Sequence, residues 1–100
     1  MLGKRQPEVS LTVLFFKEGG TFVAYAPALD LSTCGDSFEE AQRRFSAAAD
    51  LYFEECLKRG TLEEALTSYG WRKVTKPKRG WAPPVTVGHA EISVHVPAPA

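Results

Sequence analysis

The sequence predicts an α+β domain: a three-stranded antiparallel meander covered by one long helix, then a short second helix and a C-terminal strand. Three observations carry this. Two runs rich in β-branched and aromatic residues flank Gly19-Gly20, the signature of a hairpin. A 3.6-residue apolar period runs from Phe38 to Cys56, directly behind a capping signal at Asp36-Ser37. A chain of 100 residues with 44% hydrophobic content has enough apolar surface for one core and not for two.

Taken in order, Met1–Glu8 is polar and contains Pro7, so it is expected to fray. Val9–Lys17 reads as the first strand, with Val9, Leu11, Val13 and Phe15 on one face. Its other face turns apolar at Leu14 and Phe16, which predicts cover on both sides there. Glycine at Gly19 and Gly20 accepts the positive φ that a tight hairpin demands. Thr21–Ala26 returns antiparallel until Pro27, which has no N–H to donate. Leu29–Cys34 is the expected third strand.

Ser37 as N-cap with Glu40 three residues into the helix makes a capping box, and Asp36 and Glu39 add the charge a helix N-terminus favours. Phe38, Ala41, Phe45, Ala48, Ala49, Tyr52 and Cys56 share one stripe, so this helix is the lid of the sheet. Gly60 ends it. Thr61 with Glu64 predicts a second capping box, opening a short helix striped by Leu62, Ala65, Leu66 and Tyr69. Trp71–Pro84 carries five bases, three prolines and a glycine, and reads as a low-order basic linker. Alternation returns in Val85–Val96, where Ala90, Ile92, Val94 and Val96 oppose His89, Glu91, Ser93 and His95. The domain reading is therefore a core over 1–71, a basic Pro/Trp linker over 72–84, and a strand and tail over 85–100. That last piece either joins the same sheet or is exchanged between protomers, which would make the protein a homo-oligomer, a dimer or a tetramer.

Net charge is zero but unevenly spread. Residues 30–64 hold nine acids against four bases, and residues 65–100 hold five bases against one acid. An acidic middle of this kind either steers a basic partner or serves as a solvated helix face. No apolar run reaches the ~18 residues of a membrane span. The first residues lack the apolar core of a signal peptide, so a cytoplasmic location is expected. Cys34 and Cys56 match no metal or redox spacing and read as free thiols.

Catalytic constellations are sparse. Glu39 and Glu40 are accounted for by capping and Asp36 by the turn before it, which leaves Asp30 as the one carboxylate without a local structural reason. A hydrolytic site on Asp30 and Asp36 would need further converging carboxylates. His89 and His95 would stand about 20 Å apart on one strand, too far for one metal. Cys34 lies near a helix N-terminus but has no base beside it. No catalytic residue, metal site or cofactor is expected. The best nucleic-acid candidate is Trp71–Trp81, where Arg72, Lys73, Lys76, Lys78 and Arg79 could meet phosphates while Trp71 or Trp81 stacks on a base. Against it stands a plain basic connection with both tryptophans buried at its ends.

The run FVAYAPALDLSTCGDSFEEAQRRFSAAADLYFEE resembles the HicB-like antitoxin family. The matching positions are Tyr25, Pro27, Leu29, Asp30, Gly35, Asp36, Ser37, Glu39, Glu40, Ala41, Ala48, Leu51 and Tyr52. LEEALTSYGW is similar to the family's second helix, so the likeness covers roughly residues 9–71. Arg44 stands where many members have asparagine, and Ala47 where many have glutamate. The resemblance implies a β-β-β-α core like part of a ribonuclease H fold, without a working nuclease site. It also implies a binding protein that blocks a small basic HicA-type ribonuclease toxin by covering it. On that reading Asp30, Asp36, Glu54 and Glu55 are the expected partner-binding residues. Many members carry a separate DNA-binding module with no counterpart in these residues, so DNA binding is not expected.

Overall fold

A computed structural model describes residues 8–99. The chain runs β1 (Leu14–Glu18), β2 (Thr21–Ala26), β3 (Leu31–Gly35), α1 (Phe38–Arg59), α2 (Leu62–Ser68), β4 (Arg72–Val74) and β5 (Gly80–Ala82). The fraying expected of Met1–Glu8 falls, as far as Pro7, outside the described residues.

The first three strands form the predicted antiparallel meander in the order β1-β2-β3. Phe15 pairs with Ala24, and Ala24 with Thr33. Gly19 takes φ 62°, the left-handed turn that sets this register. Alternation along β2 sends Phe22, Ala24 and Ala26 toward α1, where Ala24 and Ala26 are fully buried against Ala41 and Phe45. Small side chains at the centre let the helix lie close to the sheet. A second cluster gathers Leu29, Leu66 and Trp71 under Tyr52, Phe53 and Trp81. Its polar pin is the Trp71 indole, whose Nε1–H donates to the Ala28 carbonyl at 2.7 Å.

The two clusters meet at α1, which is why its start is tightly held. Ser37 Oγ accepts the Glu40 N–H at 3.0 Å. The Glu40 carboxylate accepts the Asp36 N–H at 2.6 Å, one residue earlier than in the reciprocal box. Gly35 is what permits the approach of β3 to α1, because a Cβ there would stand 2.8 Å from the Ala41 nitrogen. At the far end Gly60 has φ 69°, and the Thr61 N–H donates back to Cys56 O at 2.9 Å.

Several expectations are corrected. The first strand begins at Leu14 rather than Val9. Leu14 already pairs with Tyr25, so further extension would run past Ala26 into Pro27, which cannot donate. Among the described residues nothing covers Leu14 and Phe16, which stay nearly half exposed on the side away from α1. The third strand starts at Leu31, not Leu29, because Leu29 is drawn into the second cluster within a turn. Thr61 makes no side-chain cap bond, for its backbone (φ −109°, ψ 8°) already belongs to the turn closing α1. The segment expected to be a linker contains a hairpin, β4 against β5, with Lys73 opposite Trp81. Val85–Val96 is not a strand. None of the hydrogen bonds of the described residues involves residues 83–99, and the apolar side chains there are 74–97% exposed. A strand exists only with a partner's backbone groups beside it, and none of the described strands pairs with this segment. The radius of gyration, 16.8 Å against ~13 Å for a compact domain of this length, reflects that projecting arm.

Candidate functional site

Where α1 crosses the beginning of β3, the two elements do not close on each other completely. An open groove of about 500 Å³ runs between Leu31 on the sheet and Ala48, Leu51, Tyr52, Glu55 and Cys56 on the helix. Leu51 stands off the apolar stripe that packs α1 on the sheet, so it is left 58% exposed at the groove rim. Tyr52 lies deeper. Burial, and then the neighbouring Cys56 thiol, push its phenol up to about 12, so it remains a neutral hydrogen-bond donor in the groove. Glu55 closes one side and pairs with Arg59 at 3.5 Å. The preceding residue, Glu54, is exposed and has no ion-pair partner among the described residues. The lining is mainly apolar, with one carboxylate, Glu55, and its partner Arg59 at the rim, suited to receiving an apolar side chain flanked by a base that replaces Arg59.

The four expected partner-binding carboxylates do not form one patch. Glu54 and Glu55 share the groove end of α1. Asp36 precedes the helix at its opposite end, about 27 Å away along an axis rising ~1.5 Å per residue. Asp30 sits in the β2–β3 turn next to Leu31, but its carboxylate is taken by Tyr25, whose hydroxyl donates to Oδ1 at 2.9 Å. That bond, followed by burial, raises the Tyr25 phenol above its ordinary value. Asp30 also adopts φ 50°, a left-handed conformation in which aspartate is enriched. Asp30 thus has the structural reason that its sequence context did not reveal. At Asp36 it is the backbone N–H that binds Glu40 and holds that carboxyl below the usual glutamate range, while the Asp36 side chain is exposed. Among the described residues no three His, Cys, Asp or Glu side chains stand close enough to hold a metal ion.

The basic stretch has shape as well as charge. Arg72 and Lys73 lie on β4, while Lys76, Lys78 and Arg79 occupy the connection to β5. All five are exposed. Lys73 bonds Glu63 at 3.0 Å and lies over the Trp81 ring at 5.8 Å. Trp71 is buried in the second cluster and cannot stack on a base; Trp81 keeps only part of its ring open. The hairpin therefore offers cations without a free aromatic platform.

Sequence reasoning missed the groove itself. The available signal was Leu51, a leucine standing outside the helix's apolar stripe. No helix among the described residues is long and apolar enough to cross a membrane. Compared with protein-family models, curated proteins and solved structures, the chain matches none.

Proposed function

We propose that the chain is an antitoxin-like binding protein that neutralises a small basic ribonuclease of the HicA type by covering its working face, and that it is not itself an enzyme. The observation that carries this reading is the groove between β3 and α1, with the exposed Leu51 at its rim, set in a segment of nine acids and four bases. A basic partner is steered to that segment by long-range attraction and held there by burial of apolar contacts. Glu55 is the carboxylate that lines the groove and becomes available once Arg59 is displaced, while the exposed Glu54 adds negative charge on the same turn of α1. The resemblance of residues 9–71 to HicB-like proteins supports the same assignment from the sequence side. The test is co-expression in a bacterial host with the small basic protein encoded beside this one. Growth arrest by the neighbour alone, relieved on co-expression and accompanied by co-purification, supports the reading. A harmless or non-binding neighbour removes it.

A second reading, a small nucleic-acid-binding module, is favoured by the basic hairpin of β4 and β5. Of its five cations only Lys73 is engaged in an ion pair among the described residues. Salt-dependent binding of single-stranded RNA, lost on neutralising Lys76, Lys78 and Arg79, would support it.

A further inference from the structure

Two segments with strand-forming patterns have no strand partner among the described residues, and they meet at one cavity. The first is the outer edge of the meander. β1 uses one side of its backbone for β2, while the strand pattern continues upstream through Val9–Val13 with no backbone hydrogen bond. Pro27 ends β2 there, so no strand among the described residues pairs with them. The second segment is the arm, residues 85–96. Its Val85, Val87, Ile92, Val94 and Val96 are 74–97% exposed, and no backbone hydrogen bond among the described residues reaches it. The root of the arm lies near that edge: Pro83, Pro84, Val85 and Thr86 line a cavity of about 600 Å³ with Ser10, Leu11 and Thr12. Consecutive prolines keep that root extended and without donors, so the arm does not reverse onto its own edge at that point.

We infer that residues 85–96 are an exchange arm, which adds as a strand to the Val9–Glu18 edge of a second copy of this chain while the second copy's arm returns the contact. The arm leaves beside the N-terminal part of the edge it would occupy, so a two-fold axis near Ser10–Thr12 makes the exchange reciprocal and closed. Main-chain bonding along an unpaired edge supplies the affinity, and the alternating side chains set the register. On its apolar side the incoming strand adds to the uncovered face of the sheet, where Leu14 and Phe16 are exposed. The free edge of β3 is the poorer acceptor, because the Cys34 carbonyl is already bonded by Arg44 Nη1 at 3.1 Å. With twelve arm residues and the ten of Val9–Glu18, each copy commits about 22 residues, within the ~20–30 a side of specific interfaces. This pairing does not depend on any toxin.

The full chain is measured by size-exclusion with light scattering from micromolar to millimolar concentration, beside the variant Ile92→Asp with Val94→Asp. The expected result is a particle of twice the 11.0 kDa chain mass for the native protein, and a single-chain mass for the variant. The far-UV spectrum of the variant should keep its helical bands and lose only the strand signal of the exchanged segments, since the arm makes no hydrogen bond to the body of its own chain among the described residues. Amide exchange of the native dimer should show protection in residues 85–96 and in residues 9–13, lost in the variant. A native monomer at every concentration overturns the inference, including one whose arm is protected by folding back. So does a dimer that survives both aspartates, or one that leaves residues 9–13 unprotected.

Discussion

At the scale of single residues, the junction between β3 and α1 is where one atom matters most. Gly35 passes so close to the first turn of α1 that a methyl group would meet the Ala41 nitrogen at 2.8 Å and the Glu40 side chain at 3.0 Å. The nearest obstacle is backbone, which cannot step aside as a flexible side chain would. Gly35→Ala is expected to destabilise by ~1–3 kcal/mol, the cost of overpacking a close contact, read as a lower urea midpoint with an unchanged slope. The neighbouring Glu40 makes a pH signature. Its carboxyl is held below the ordinary value of 4.5, chiefly by the Asp36 N–H and then by Arg44. A depressed folded pKa means that the stabilisation is complete above 4.5 and is lost as the pH falls through the folded value. The stability gap between the native chain and Glu40→Gln should therefore be widest at neutral pH and shrink in acid. A gap that stays constant below pH 4.5 would mean that the carboxylate is not the active form. The legibility of these residues in the sequence was uneven. Ser37, Glu40 and Gly60 announce themselves because caps are local chemistry. Asp30 did not, since its partner Tyr25 and its left-handed backbone belong to a turn whose shape depends on where Leu29 is buried.

At the scale of elements, meander and long helix were legible because their patterns are long and each is satisfied by neighbours in sequence. The short hairpin of β4 and β5 was not. Each of its strands has three residues, too few for alternation to register, and they are brought together by Trp71 and Trp81 on the second cluster. Val85–Val96 shows the opposite failure: its alternation is clear, but pairing is a property of two segments and periodicity reports on one. Trp71 therefore carries more than its own element. It joins α2, the β2–β3 turn and β4 through burial, through the bond to Ala28 O, and through an edge-on contact with Phe53 at 6.1 Å between ring centroids. Trp71→Phe keeps most of the packing but leaves the Ala28 carbonyl without its donor, an expected loss of ~1–3 kcal/mol. Trp71→Ala should cost ~3–5 kcal/mol. Thermal unfolding followed by circular dichroism ranks the two. A Trp71→Phe chain as stable as the native one would mean that the indole bond contributes nothing.

Across the whole molecule, charge is divided between an acidic body and a basic hairpin, and the two proposed functions use opposite poles. An acidic groove that receives a basic toxin gains nothing from Lys76, Lys78 and Arg79. Those cations add repulsion at long range to any approaching basic protein. Neutralising all three should leave the contacts of the complex intact and speed association at low salt, by about tenfold at most, the modest end of electrostatic steering. The gain should vanish near ~1 M salt, where screening acts over ~3 Å. Reversing Glu54 and Glu55 to lysine should slow the same association and shorten the lifetime of the complex. For a nucleic-acid-binding module the signs exchange: the hairpin variant loses affinity and its salt slope flattens by roughly one unit per lost phosphate contact, while the reversal at Glu54 and Glu55 tightens binding. Stopped-flow association of both variants against the basic partner and against single-stranded RNA thus gives four signs. The antitoxin reading requires the hairpin variant to gain with the protein, and the reversal variant to lose with it. A hairpin variant that loses the basic partner would place the contact on the β4–β5 pole and end that reading, whatever happens with RNA.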